Sequence, residues 1–382
     1  MFYEEHEEAL IYLSKKGLSS EQAIEIVSNL SIDEAQGIAE GLARNDVLQL
    51  NANQIKSLSA LQDYGLTVEH LRNCQLPKGL QFGPAHQQAL CFLIKEKQMN
   101  PEVAIAEINQ LGSDGAYAIA TGLCRSQVLG LNRYQHKTLL KLQQYGLTAE
   151  HLRSWQLPSD EKEFYNGHKD ALIYLLQVRN LSPENAIKEI NAVTSGQAAG
   201  IAKGLMRTEV IGLQEEQVNS LIDLREKGFS EFPAEHLKQW QGAYFSTSHK
   251  NALINLVEKR HYKSAAAVAE INNLNEFEAR SIAENNLTRD EVLGFNGWQI
   301  RLLARLKNKG FTYSHMRSWQ APNESEHFLA GLNDAVIYLI KKGMKAEDVI
   351  SEINGLTNNQ AARLVKGETR EQILNCASSL RP

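Results

Sequence analysis

The sequence predicts an all-α protein: an α-solenoid, or a tandem array of multi-helix repeats of about 80 residues. Three observations predict it. The stretch HKDALIYLLQVRNLSPENAIKEINAVTSGQAAGIAKGLMRTEVIGL, from His168 to Leu213, returns in variant form at four other places. The histidines that open the copies, His6, His86, His168 and His249, stand 80, 82 and 81 residues apart, and Leu332 takes that place 83 residues further on. Between turn residues every segment reads as helix and none as strand. Self-similarity at a fixed period is the signature of repeat architecture. It divides the chain into residues 1–80, 81–160, 161–243, 244–327 and a partial copy, 328–382, expected to cap the array. Units stacked in line bury one elongated core.

The first helix carries ALIYL, ALCFLI, ALIYLL or ALINLV and is apolar on nearly all sides, so it should be the buried inner helix. Gly17 and Gly343 end it in the first and last copies. The second helix opens at Ser182-Pro183 in copy three and Asn100-Pro101 in copy two; proline is tolerated there because its missing N–H has no partner within a helix anyway. It runs through AIAEIN, AIKEIN and AVAEIN and should end near Asn109, Asn191, Asn272 or Asn354, residues that tolerate left-handed backbone.

The third helix, DEAQGIAEGL or GQAAGIAKGL, should close on Gly41, Gly122, Gly204 and Gly367, with Asn285-Asn286 replacing glycine in copy four. A short fourth helix follows, with Thr288 and Glu291 at capping-box spacing. The fifth carries Gln54, Gln135, Gln217 and Gln299 in register and closes at Gly65, Gly146, Gly228 and Gly310. Leu66, Leu147, Phe229 and Phe311 supply the apolar contact beside that cap. Thr67, Thr148, Ser230 and Thr312 should then cap the last helix, which Pro77, Pro158 and Pro322 stop. The stretches around Leu76–Pro84 and Pro158–Gly167 read as links. The end, NCASSLRP, should fray.

Composition narrows the class. Hydrophobic residues make up 43% and charged residues 22%, the balance of a soluble globular protein. No apolar run approaches the roughly 20 residues of a membrane span. The acidic start, MFYEEHEEAL, lacks the order of a secretory signal peptide, so the expectation is a cytoplasmic monomer, with specialised secretion open. Cys74, Cys91, Cys124 and Cys376 do not follow the repeat period and read as reduced, packed thiols. The net charge of −5 disfavours nucleic acid. It is uneven: residues 1–80 hold 6 basic and 12 acidic groups, hence −6, and residues 244–327 hold 11 and 9, hence +2. That asymmetry could orient a partner.

No P-loop, Rossmann glycine pattern, GxSxG or HExxH is present, and no cofactor is expected. The histidines form two sets, the opening ones and His70, His151, His236 and His315 in the last helix. Without a recurring third ligand they read as hydrogen-bonding groups at unit junctions rather than a metal site. Trp155, Trp240 and Trp319 share one register and read as core. Trp298 matches Asn53, Tyr134 and Glu216, a mixture that points to an exposed position; Trp298 and Tyr134 are therefore candidate partner anchors. Arg44, Arg125, Arg207, Arg289 and Arg370 recur in all five copies at the start of the fourth helix, where the helix dipole disfavours a cation. Either a carboxylate such as Glu107, Glu189, Glu270 or Glu352, or a nearby backbone carbonyl, holds them, or they form a ladder facing an acidic partner or phosphates.

LSSEQAIEIVSN (Leu18–Asn29) resembles the start of a transcription-activator-like effector repeat, L-T-x-E-Q-V-V-x-I-A-S-N, over 12 residues of one copy. That family's period is about 34 residues. Its glycine-rich base-reading loop is replaced here by NLSIDEAQG, so the likeness extends to helix-start grammar alone. In style the whole chain resembles helical repeat proteins that intracellular bacterial pathogens deliver by Dot/Icm-type (type IV) secretion. The likeness lies in lysine- and glutamate-bearing α-repeats, few cysteines and no signal peptide, and GETREQ (Gly367–Gln372) is similar to their glutamate-rich C-terminal signals. This resemblance implies a host-protein target. The expected function is a non-enzymatic protein-binding scaffold; the alternative is nucleic-acid binding through the arginines.

Overall fold

A computed structural model describes residues 3–159 and 161–378. The fold is all-α: among the described residues there are 28 α-helices and no strand. None of those helices is long and apolar enough to cross a membrane. The chain forms two compact units, Met1–Gly204 and Leu205–Pro382.

The second repeat shows the plan. Its helices are Pro84–Cys91 (continuing as one π-turn, Phe92–Glu96), Pro101–Ile108, Ser113–Ala120, Arg125–Val128, Arg133–Leu142 and Ala149–Arg153. The first and third helices form the most extensive packing pair in every repeat. Ala89, Leu90, Ala116 and Ile119 meet there with no solvent exposure. At Gly167 the two helix starts come so close that a Cβ would lie 2.0 Å from the Ser195 carbonyl oxygen, so only glycine fits. The first helix is nevertheless not buried all round. In the opening copy only His6 and Ala9 are buried, and Ile11 is 55% exposed.

The glycine caps follow the sequence reading. Gly41, Gly122, Gly204 and Gly367 have φ of 101°, 110°, 95° and 93°, and Asn286 takes the same role at 54°. Ser182 and Asn100 cap the second helix by accepting N–H bonds from Asn185 and Glu102. Thr288 donates its N–H to Glu291 at 2.8 Å. Thr67, Thr148 and Thr312 start the last helix, each paired with the histidine three residues on.

Several details differ. Asn109, Asn191, Asn272 and Asn354 end the second helix at φ near −60°; the left-handed residue is the next one, Gln110, Ala192, Asn273 or Gly355. The asparagine side chain has another task. Its Oδ1 accepts the N–H of Gln75, Gln156, Gln241 or Gln320 from the preceding repeat at 2.8–3.0 Å. In return, the N–H of the left-handed residue donates to the carbonyl of Gln75, Gln156 or Gln320. The recurring Asn and Gln are thus two halves of an inter-repeat clasp.

Ser230 does not cap the last helix of repeat three. The inserted Glu231–Pro233 moves the start to Ala234, and buried Phe232 takes over from half-buried Phe229. The prolines do not stop the last helix either, which ends at Arg72, Arg153 and Arg317, five residues before each of them. The links are not mere connectors, since Phe82, Phe164, Phe245 and Phe328 within them are at most 4% exposed. Cys74, Cys91 and Cys124 are free, but Cys124 is exposed rather than packed. The Cys376 side chain lies outside what is described. The final helix runs through Ser378, further than the expected frayed end; residues 379–382 lie outside the described residues.

Candidate functional surface

The recurring arginines stand at the first position of the fourth helix, but their guanidinium groups turn back onto the end of the second. Arg125 donates to the carbonyls of Glu107, at 2.8 Å, and Asn109. Arg289 reaches the carbonyls of Glu270 and Asn272, and Arg370 those of Glu352 and Asn354. Arg44 lies 3.5 Å from the Ser28 carbonyl oxygen. These are the orphan carbonyls at a helix C-terminus, where a cation is favoured. Of the two structural partners expected, the backbone carbonyl takes the guanidinium, and the carboxylate has a separate task. The carboxylates of Glu107 and Glu270 accept the backbone N–H of Arg125 and Arg289 at 3.1 and 2.7 Å. Arg207 and Glu189 are engaged as well. A cation spent on carbonyls is a poor phosphate reader.

The opening histidines make their hydrogen bonds inside a repeat, not across junctions. Nδ1 of His86, His168 and His249 accepts the N–H three residues before it, at 3.1–3.2 Å. Nε2 must then carry the proton, and it donates to Leu111, Val193 or Leu274 at 2.8–3.0 Å. Burial holds the His168 and His249 rings below the usual imidazole range, against the opposing pull of those carbonyls. Two of the second set do span repeats: His151 meets Glu184 at 3.1 Å and His315 meets Glu347 at 3.2 Å. Among the described residues no three His, Cys, Asp or Glu gather as a metal site.

The aromatic candidates are half-buried. Trp155 packs edge-on against Phe164 and His168 of the next repeat and donates to the Ile190 carbonyl at 3.1 Å; Trp240 and Trp319 repeat the ring contacts on Phe245 and Phe328. They are lids over a junction rather than core. Trp298 is not exposed as expected: it packs on the apolar cluster of the last two repeats, with Arg301 4.5 Å from its ring centre. Tyr134 rests 5.9 Å from the Tyr165 ring, with Arg133 at 5.2 Å.

Two features escaped the sequence reading. The residue after the buried valine or isoleucine of the fourth helix is aliphatic in every copy and exposed in four of the five. Leu129, Ile211, Leu293 and Leu374 are 42%, 42%, 38% and 39% exposed, and Leu48 is half-buried. A column-by-column alignment of the repeats would have found this register. The second feature is a groove of about 610 Å³ centred on repeat two, lined by Gly112, Gly115 and His136 and reaching Leu80 and Glu163 of its neighbours. His136 occupies a core register held elsewhere by Ile55, Val218 and Ile300, and it is 4% exposed. No family model, curated protein or solved structure matches the chain.

Proposed function

We propose that the chain is a non-enzymatic helical-repeat module that binds a protein partner through the aliphatic side chain presented after each fourth helix. One observation carries this reading. All five copies keep an aliphatic residue at one register, exposed in four of them and half-buried in the first, although the neighbouring valine or isoleucine of the same helix is buried. A single exposed leucine needs no explanation. A recurring one does, since packing would tolerate a polar residue there. The resemblance to type IV secreted repeat proteins extends the proposal to a host protein as target.

The test is a double variant, Leu129→Asp with Leu293→Asp. Both positions are surface sites, where substitutions usually change stability by no more than about 0.5 kcal/mol. The variant should keep its Tm and lose the protein partners that the wild type captures from host-type cell lysate, measured by quantitative mass spectrometry. Unchanged capture by the variant would rule out this surface. Capture that depends on RNA and falls steeply with salt would favour nucleic-acid binding instead.

A further inference from the structure

The second repeat departs from the others at three neighbouring positions. Elsewhere the third helix opens with a polar N-cap and, three residues on, a side chain that accepts the N-cap N–H. Glu34, Gln197, Glu278 and Gln360 do so at 2.7, 3.1, 2.8 and 2.9 Å. Glu278 also takes the N–H of Gly294 at 2.9 Å. In repeat two the N-cap is Gly112 and the third position is Gly115. No side chain is left to fill the place, and the N–H groups of Gly112 and Gly130, equivalent to those of Asn275 and Gly294, have lost that acceptor.

The third departure is His136. Its Nε2 donates to the Val128 carbonyl at 3.0 Å, which leaves Nδ1 as an acceptor. That nitrogen is buried and has no partner. A buried acceptor left unpaired costs about 1–3 kcal/mol, so its persistence in a single copy calls for a reason. Gly112, Gly115, Gly130 and His136 all line the one groove, together with Asp114 and Glu163.

We propose that this groove binds a primary carboxamide, seated where the other repeats place the end of their own capping side chain. The carbonyl oxygen would accept from the Gly112 N–H, as Oε1 of Gln197 and of Gln360 does from the equivalent N–H. The NH₂ would donate to His136 Nδ1. A carboxylate could satisfy the N–H groups, but it has nothing to give Nδ1 and would face Asp114 and Glu163. Two of the four filled copies use a carboxamide themselves, Gln197 and Gln360. Burial holds the His136 ring below the usual imidazole range, with the Val128 carbonyl and Asp114 pulling the other way, so the ring is neutral and its acceptor free at pH 7. Leu80 and Leu129, 47% and 42% exposed, line the same groove and offer apolar cover for the methylenes that carry the amide. A glutamine side chain of a peptide and a free small amide share this chemistry. The groove shares Leu129 with the surface proposed above, but its hydrogen-bonding groups, Gly112 and His136, do not belong to that surface.

NMR titration of the full chain, with histidine and glycine labelled by ¹⁵N, tests it. Propionamide should move the His136 Nδ1 signal saturably, and propionate should not. The peptide acetyl-Ala-Gln-Ala-amide separates the sources: saturation below the propionamide concentration assigns a polypeptide glutamine, and the reverse assigns a free amide. Propionate acting in place of propionamide, or no response to any probe, overturns the proposal. Gly115→Gln should fill the groove from within, raise Tm and abolish the response. A Cβ there would lie 3.1 Å from Val128 Cγ1, so a second variant guards against misfolding. His136→Ile copies repeats one and four. In it the Gly112 amide signal should answer propionamide roughly tenfold more weakly, the effect of losing one hydrogen bond. An unchanged response would remove His136 from the site.

Discussion

At the residue scale, His168 shows how much one imidazole can carry. It is fully buried, accepts from Tyr165 N–H and donates to the Val193 carbonyl, tying the start of the first helix to the turn before the third. The Glu161 carboxylate lies 3.6 Å from Nε2, yet burial dominates and lowers the ring's pKa from its usual 6.5. His136 and His249 are lowered for the same reason. As pH falls below about 6.5, the unfolded chain takes up protons that the folded chain refuses, so stability falls; above it the contribution is flat. Thermal unfolding should therefore show Tm dropping between pH 7 and pH 5. His168→Leu, matching Leu332 of the last repeat, should lower stability at pH 7 by about 1–3 kcal/mol through the two groups left unpaired, and should flatten that pH slope. An equally steep slope in the variant would show that His168 does not contribute. The recurrence of this histidine was plain in the sequence. Its work within a repeat was not, because hydrogen-bond partners 25 residues away are set by packing.

At the element scale, helix ends explain a difference in repeat length. The middle three copies carry one more residue in the first helix than the outer two, counted from the opening position to its left-handed end at Gln98, Asn180 or His261 rather than Gly17 or Gly343. The last turn widens to take it in. Lys97, Arg179 and Arg260 donate to the carbonyl five residues back, and the π-turn of repeat two is the clearest instance. The second helix ends on left-handed Ala192, at φ 54°, where the last repeat has Gly355 at 72°. A left-handed residue with a Cβ costs roughly 1–2 kcal/mol, and glycine gives back part of that in backbone entropy. Ala192→Gly should thus stabilise by about 0.5–1 kcal/mol in urea unfolding, although glycine usually weakens helical proteins. A destabilised variant would contradict the strain assigned to this turn.

At the scale of the whole molecule, the last two repeats share one core. One apolar cluster runs from Leu302 and Phe311 in repeat four through Phe328 to Val349 and Ile373 in the last copy. Above it sit Trp319 and the clasp between Gln320 and Asn354. Deleting residues 329–382 removes about two thirds of that cluster, 13 of its 19 buried residues, and exposes the rest. Stability in repeat arrays is close to a sum over units and nearest-neighbour contacts. Amide exchange in residues 297–317 should accelerate sharply in the truncated chain, with protection across residues 101–142 unchanged. Loss of protection throughout would mean that the chain folds as one cooperative body.

The sequence by itself determined the helical class, the repeat register and most of the helix ends. Those features are local: a glycine or asparagine at φ > 0, a Ser or Asn before a proline, a run of apolar residues. Only the tertiary structure decided what the recurring polar residues do. The asparagine read as a helix end is a clasp, the arginine row is spent on carbonyls, and tryptophans read as core are lids. Each of those roles depends on a partner brought near by packing, which spacing along the chain does not encode. The groove in repeat two belongs to the same class. Gly112, Gly115 and His136 are unremarkable as letters and become a site only when the fold sets them around one space.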